Sequence, residues 1–180
     1  FKNCGASTIL IPSTVESIGD QAFAHCEALS SINLPTSTVS IGDLAFYDCP
    51  SLTNLTVDSG NPNYQSIDGV LFSKDGTELI RYPASKPGTT YEVPEGVTHI
   101  FPSAFMDSQL VQVTLPSTAE HIGGRAFYNN SDLQSVTVTG DVVTFGVDAF
   151  YGTDDNFIIE HPPEHSPEDY ETPTPEDRFV

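Results

Sequence analysis

The fold of this chain is decided by one stretch, IPSTVESIGDQAFAHCEALSSINLP, which runs from Ile11 to Pro35 and recurs along the sequence. Its central Ala-Phe pair occurs five times, with the phenylalanines 23, 59, 22 and 23 residues apart. A fixed period in the twenties predicts a solenoid, in which each unit is one turn that buries its apolar face against its neighbours. The phenylalanines are Phe23, Phe46, Phe105, Phe127 and Phe150.

Proline and glycine divide each unit. Proline closes a short β-branched run, as at Pro12 and Pro35, because it has no N–H to donate to a neighbouring strand. A glycine stands shortly before Ala-Phe in four units, where we expect a tight bend with positive φ. Phe101 replaces it in the third unit, so we expect that turn to bend differently. The four glycines are Gly19, Gly42, Gly123 and Gly146.

A run of alternating apolar and polar residues ends each of the first four units. This alternation predicts a strand with one buried face, and repetition stacks such strands into a parallel sheet. On the side opposite this sheet we expect the Ala-Phe segments to be irregular or short helical. The expected fold is therefore a right-handed solenoid of the α/β or mainly β class. The residues expected to point inward are Ile32, Leu34, Leu55, Val57, Val113, Leu115, Val136 and Val138. Those expected to point outward are Ser31, Asn33, Asn54, Thr56, Gln112, Thr114, Ser135 and Thr137.

The pattern from Pro12 to Pro35 resembles the BspA-type leucine-rich repeat of bacterial surface proteins, and the resemblance covers about residues 1–153. The stretch from Asn61 to Pro83 also resembles an insertion common in that family. The resemblance implies a leucine-rich-repeat solenoid that is secreted or held at the cell surface. It also implies adhesion to a protein or glycan on host or neighbouring cells.

The insertion, at about residues 61–83, accounts for the long gap of 59 residues between phenylalanines. Its Asp75-Gly76 pair lies between two alternating runs, Val70–Ser73 and Thr77–Ile80. Asp-Gly in this setting is a strong hairpin signal. We therefore predict a hairpin here, either as a structural variant of one turn or as a protruding contact element.

Composition excludes some classes of partner. The chain carries six Lys and Arg against 25 Asp and Glu, for a net charge of −19. Such a field repels phosphate backbones and anionic lipid surfaces, so we expect no nucleic-acid binding. Because no apolar run reaches about 18 residues, we expect no direct membrane insertion. We expect the protein to be a monomer.

The domain organisation predicted from this pattern is a solenoid over residues 1–159 and an acidic, proline-rich tail or linker over 160–180. Frequent proline and high charge leave the tail too little apolar surface to form a core. The sequence begins inside a repeat, so we expect it to be part of a longer protein.

Cysteines and histidines offer no sign of catalysis. The three cysteines share one repeat position, which we interpret as a small, partly buried site, and they lack the Cys-x-x-Cys spacing of zinc sites. The five histidines belong to no hydrolase, phosphate-binding or metalloprotease motif. We predict no catalytic residue, cofactor or metal. His99 and His121 share a repeat position and are expected to be neighbours that face solvent. The cysteines are Cys4, Cys26 and Cys49.

Function is therefore expected on a surface. The eight outward polar residues form a flat row of hydroxyls and amides, which suits hydrogen bonding to an extended protein or glycan. We predict that this row binds the partner of a non-enzymatic interaction or adhesion module. The alternative is a glycan-binding or substrate-positioning module attached to an enzyme outside this sequence.

Overall fold

A computed structural model describes residues 1–140 and 144–160. Within these residues every regular element is a β-strand, so the fold is a mainly β solenoid and turns replace the helical segments that we allowed around Ala-Phe. The chain divides into two compact units. The first comprises Phe1–Gly76 and Ile80–Pro87, and the second comprises Thr77–Leu79 and the described residues from Gly88 onward. The predicted tail lies outside the described residues except for Glu160.

The first unit is built from two parallel sheets and a hairpin. Its strands are β1 (Thr8–Ile9), β2 (Ser17–Ile18), β3 (Ser31–Leu34), β4 (Ser40–Ile41), β5 (Asn54–Val57), β6 (Tyr64–Ile67) and β7 (Val70–Ser73). Strands β1, β3 and β5 form one sheet in that order, and β2 pairs with β4. The next strand, β8 (Glu78–Arg81), is divided between the two units.

The second unit contains two parallel ladders. Its strands are β9 (Thr90–Glu92), β10 (His99–Ile100), β11 (Gln112–Leu115), β12 (His121–Ile122), β13 (Ser135–Val138), β14 (Thr144–Phe145) and β15 (Ile158–Glu160). Strands β9, β11, β13 and β15 form the longer ladder. The shorter ladder consists of β10, β12 and β14, and it continues onto Glu78 and Leu79 of β8.

Stacked phenylalanine rings form the core opposite the longer sheet in each unit. In the first unit Phe23 and Phe46 stack at 5.6 Å between centroids. In the second, the ring centroid of Phe127 lies 4.7 Å from that of Phe105 and 5.3 Å from that of Phe150, and the ring planes are nearly parallel. These rings and the predicted inward residues of the strands are buried, as expected, apart from the half-buried Val57.

The Ala-Phe segments are tight turns that hydrogen-bond to the next turn of the solenoid. Phe23 N–H donates to Ala45 O, and Phe127 N–H donates to Ala149 O, both at 2.8 Å. The residues two positions before and after each phenylalanine donate in the same way. These further pairs are Gln21 with Asp43, His25 with Tyr47, Arg125 with Val147 and Asn129 with Tyr151. Each turn therefore satisfies backbone groups of the next one.

Positive φ occurs at other residues than the sequence predicted. The four repeat glycines do not adopt it; instead it falls on the residue before Ala-Phe and on the second residue after the phenylalanine. In one turn these residues are Leu44, with φ 53°, and Asp48, with φ 50°. Ser103 and Asp107 have φ values of 58° and 60°, so the turn after Phe101 bends like the others. The expectations of positive φ at the repeat glycines and of a different bend after Phe101 were therefore both wrong.

The glycines are required instead because successive turns approach closely. A Cβ atom at Gly42 would collide with the backbone of Asp20 and lie 2.7 Å from the carbonyl carbon of Gly19. At Gly146 it would lie 2.8 Å from the carbonyl carbon of Gly123. Real Cβ contacts are not this short, so these positions exclude every larger residue unless the backbone moves.

The insertion contains an antiparallel hairpin that the sequence pattern did not predict. Strand β6 pairs with β7 across the two-residue turn Asp68-Gly69, whose φ values of 48° and 77° are those of the favoured hairpin turn. The predicted turn at Lys74-Asp75-Gly76 is also present, because Gly76 N–H donates to Ser73 O at 3.0 Å. The insertion therefore uses two Asp-Gly turns.

Candidate interaction face

The longer sheet of the second unit carries an aligned row of polar residues. Pairing between β9, β11, β13 and β15 places four side chains in register. The hydroxyl of Thr137 donates to Glu160 Oε2 at 2.9 Å. Two threonines therefore lie between two carboxylates on the side of the sheet opposite the core. This Glu-Thr-Thr-Glu row consists of Glu92, Thr114, Thr137 and Glu160.

The neighbouring row of the same sheet is less accessible than predicted. It aligns Thr90, Gln112, Ser135 and Ile158. Gln112 is exposed, whereas Ser135 is only 3% exposed and cannot present its hydroxyl to a large partner without rearrangement. Ile158 adds an exposed apolar side chain to this face. The row is therefore mixed rather than uniformly polar.

The first unit carries a shorter polar row of the same kind. Thr56 Oγ1 donates to Asn33 Oδ1 at 2.9 Å, and Asn33 Nδ2 donates to Asp58 Oδ1 at 2.8 Å. Asn33 and Thr56 are in register on β3 and β5, as predicted. This chain of hydrogen bonds fixes both side chains and ends on a carboxylate.

Asn54 faces the hairpin, although we predicted that it would belong to the binding row. A Cβ atom at Gly69 would collide with the Asn54 side chain, and Leu55 N–H donates to Gly69 O at 2.9 Å. Ser66 Oγ donates to Leu55 O. Asn54 is accordingly half-buried, as is Ser31, its partner in register on β3. The hairpin covers part of the β5 edge, which would otherwise be open to pairing with another chain.

Carboxylates next to the predicted residues give these faces their charge. Asp58, Glu92 and Glu160 each accept from, or align with, a predicted polar residue. The sequence pattern could have identified Glu92, because Tyr91-Glu92-Val93 continues the alternation of apolar and polar residues found in the other strands. The candidate interaction face is therefore acidic, whereas the residues predicted for it are all neutral.

The cysteine position is small and enclosed, as predicted. Cys26 and Cys49 are buried and Cys4 is half-buried. Burial raises the pKa of the Cys49 thiol from its ordinary value of 9.0 to about 11. Cys49 is therefore protonated at neutral pH, and a protonated thiol is a poor nucleophile.

Other chemical groups are dispersed. No cluster of three or more His, Cys, Asp or Glu in the described residues is arranged to hold a metal ion. Asp20 Oδ1 accepts a hydrogen bond from the Asp43 N–H at 2.9 Å, which caps a turn. Asp148 Oδ2 forms an ion pair with Arg125 Nε at 3.4 Å. Within the described ranges no helix is long and apolar enough to cross a membrane.

Solved bacterial repeat proteins have similar structures. A leucine-rich repeat protein from Eubacterium ventriosum is 26% identical, with a TM-score of 0.76 over 84% of this chain and 41% of that protein. A leucine rich cell surface protein from Faecalibacterium prausnitzii is 27% identical, with a TM-score of 0.67 over 81% of this chain and 45% of that one. The pneumococcal vaccine antigen PcpA is 25% identical, with a TM-score of 0.63 over 86% of this chain and 54% of PcpA.

The chain thus spans 41–54% of the length of these three proteins. Comparison with curated protein sequences finds no match. The family described as BspA type leucine rich repeat region matches in six copies, over residues 1–86 and 87–162. Together with the stacked strands and phenylalanines, this match shows that the chain belongs to the BspA-type leucine-rich repeat family.

Proposed function

We propose that this chain is a non-enzymatic protein-interaction module of a bacterial cell-surface or secreted protein. The acidic sheet face of the second unit is its binding surface. Its partner is a protein on a host or neighbouring cell that presents an extended segment rich in lysine or arginine. The Glu-Thr-Thr-Glu row is the observation that carries this proposal.

The spacing and chemistry of that row favour an extended partner. Adjacent strands of a sheet are about 4.8 Å apart, so the four side chains form a ladder along which an extended chain can lie. Carboxylates of Glu92 and Glu160 flank the hydroxyls of Thr114 and Thr137. Carboxylates attract lysine and arginine, and charge-assisted hydrogen bonds are stronger than neutral ones.

The net charge of −19 favours the same class of partner. A strongly negative protein attracts cationic surfaces and speeds their encounter, and this effect weakens as salt is added. The similarity to a leucine rich cell surface protein supports a location outside the cell. Binding should therefore weaken as ionic strength rises.

The proposal is tested with two double variants of equal charge change. Gln112→Arg with Thr114→Arg places two cations on the proposed face. Ser131→Arg with Val147→Arg places two cations on exposed positions outside that sheet. Binding to a panel of purified extracellular-matrix proteins and oligosaccharides is measured for both by biolayer interferometry, with thermal unfolding as the folding control.

We expect the wild-type chain to bind a basic protein of the panel, the face variant to lose at least tenfold in affinity, and the control variant to bind nearly normally. Equal loss in both variants would show a general charge effect and contradict the assigned face. Binding to oligosaccharides alone would instead favour the glycan-binding alternative.

A further inference from the structure

Two histidines are neighbours on the shorter ladder of the second unit. Strands β10 and β12 place His99 and His121 in register, and their ring centroids are 6.1 Å apart with the planes tilted by 54°. His99 is exposed and His121 is half-buried. Their shared repeat position predicts this proximity.

Each ring has a threonine hydroxyl within hydrogen-bond distance of its Nδ1. Thr98 Oγ1 lies 2.8 Å from His99 Nδ1 and 3.3 Å from Thr77 O. When this hydroxyl donates to Thr77 O, its oxygen can accept from a protonated Nδ1, which leaves the lone pair of His99 Nε2 available.

The second ring meets a different threonine, from the next turn of the solenoid. Thr144 Oγ1 lies 2.7 Å from His121 Nδ1 and 3.2 Å from Glu120 O. Its oxygen can likewise accept from a protonated Nδ1, so both rings can take the tautomer that leaves the Nε2 lone pair available.

Metal-binding histidines characteristically donate the other ring N–H to a neighbouring acceptor, which orients the ring and raises its basicity. We propose that His99 and His121 bind one divalent late transition-metal ion, such as Zn²⁺ or Cu²⁺, through both Nε2 atoms. Bonds of about 2.0–2.1 Å in tetrahedral geometry need the two nitrogens about 3.3 Å apart. With ring centroids 6.1 Å apart, the two side chains must rotate towards each other to bring the Nε2 atoms to that distance.

Two protein ligands leave the remaining coordination positions to water, which makes this an open site. Cu²⁺ should bind more tightly than Zn²⁺, following the general order of divalent metals. The matching positions of the first unit, Ser17 and Ser40, are joined by a hydroxyl–hydroxyl bond of 2.9 Å and contain no imidazole. The proposed site is therefore specific to the second unit.

Isothermal titration of the whole chain with Zn²⁺, and Cu²⁺ electron paramagnetic resonance, test the proposal. We expect one ion per chain and nitrogen coordination in the copper spectrum. His99→Ala or His121→Ala should each weaken binding at least tenfold. The matched control is His161→Ala with His165→Ala in the tail, which should bind like the wild type.

Undiminished binding after either ladder substitution, or loss of binding in the tail control, would overturn the assignment. The tautomers give an independent test that does not depend on the variants. Nitrogen-15 spectra of the metal-free chain should show a protonated Nδ1 and an unprotonated Nε2 in both rings. The opposite tautomer in either ring would also overturn the proposal.

Discussion

The thiol of Cys49 donates a hydrogen bond to the carbonyl oxygen of Phe23, one turn earlier, at 3.1 Å. At the same repeat position in the second unit, the Asn130 amide donates to Phe105 O at 2.9 Å. Cysteine and asparagine therefore make the same hydrogen bond across one turn at this repeat position.

The buried thiol should make the fold sensitive to alkali. Since burial raises the pKa of Cys49 from 9.0 to about 11, its contribution is complete below pH 9 and is lost as pH rises to 11. Cys49→Ser retains a donor but does not titrate in this range. In urea unfolding at pH 8 and pH 11, we expect the wild type to lose more stability than this variant. Equal losses would mean that Cys49 does not contribute to the pH dependence.

Close approach of the turns predicts which glycines are essential. Gly42→Ala and Gly146→Ala should each lower the free energy of unfolding by about 1–3 kcal/mol, because the added methyl meets backbone atoms. Gly19→Ala is the matched control, since nothing lies within 4 Å of its Cβ position. Chemical denaturation measures all three. The explanation fails if the control is destabilised as much as the other two.

The left-handed residue before Ala-Phe predicts an order of stability at Arg125, whose φ is 57°. Asparagine tolerates this conformation, whereas a β-branched residue does not. Arg125→Asn should therefore be about 1 kcal/mol more stable than Arg125→Val. Both variants remove the ion pair with Asp148, so that contact cancels in the comparison. A more stable valine variant would contradict the assigned backbone conformation.

The buried amide of Asn61 should be among the most sensitive positions of the first unit. Its Nδ2 donates to Pro35 O at 2.8 Å and Thr38 O at 3.0 Å, while its Oδ1 accepts from the N–H groups of Asn63 and Tyr64. Asn61→Ala should cost about 3 kcal/mol or more, because several backbone groups lose their partners.

Asn63→Ala is the control for this substitution, since it keeps the backbone N–H that donates to Asn61 Oδ1. It should change the free energy of unfolding by less than about 1 kcal/mol, because the half-buried Asn63 side chain takes no part in this network. Similar thermal unfolding of the two alanine variants would show that the Asn61 network contributes little to stability.

The period of the sequence was sufficient to predict the four-residue strands β3, β5, β11 and β13, most of their buried residues and the buried phenylalanines. It could not assign a reason to each glycine, because positive φ and a close neighbouring backbone both select glycine. Leu44 shows the difference: it adopts positive φ, while nearby Gly42 does not. Only the packing of successive turns separates the two causes.

The candidate face was predicted less completely than the fold. Alternation identifies the side of a strand on which a residue lies, but it does not show what packs over that side. Asn54 and Ser135 are therefore less accessible than the alternation suggested, one beneath the hairpin and the other within the sheet. The acidic members Glu92 and Glu160 became evident once the strand register was known.

The most direct test of the proposed function is to map the bound surface by nuclear magnetic resonance, using the basic protein that binds most tightly in the panel assay. We expect the largest amide shift changes in β9, β11 and β13, at and beside Glu92, Thr114 and Thr137. Changes confined to the turn at Lys74-Asp75-Gly76 would contradict the account and assign binding to the insertion.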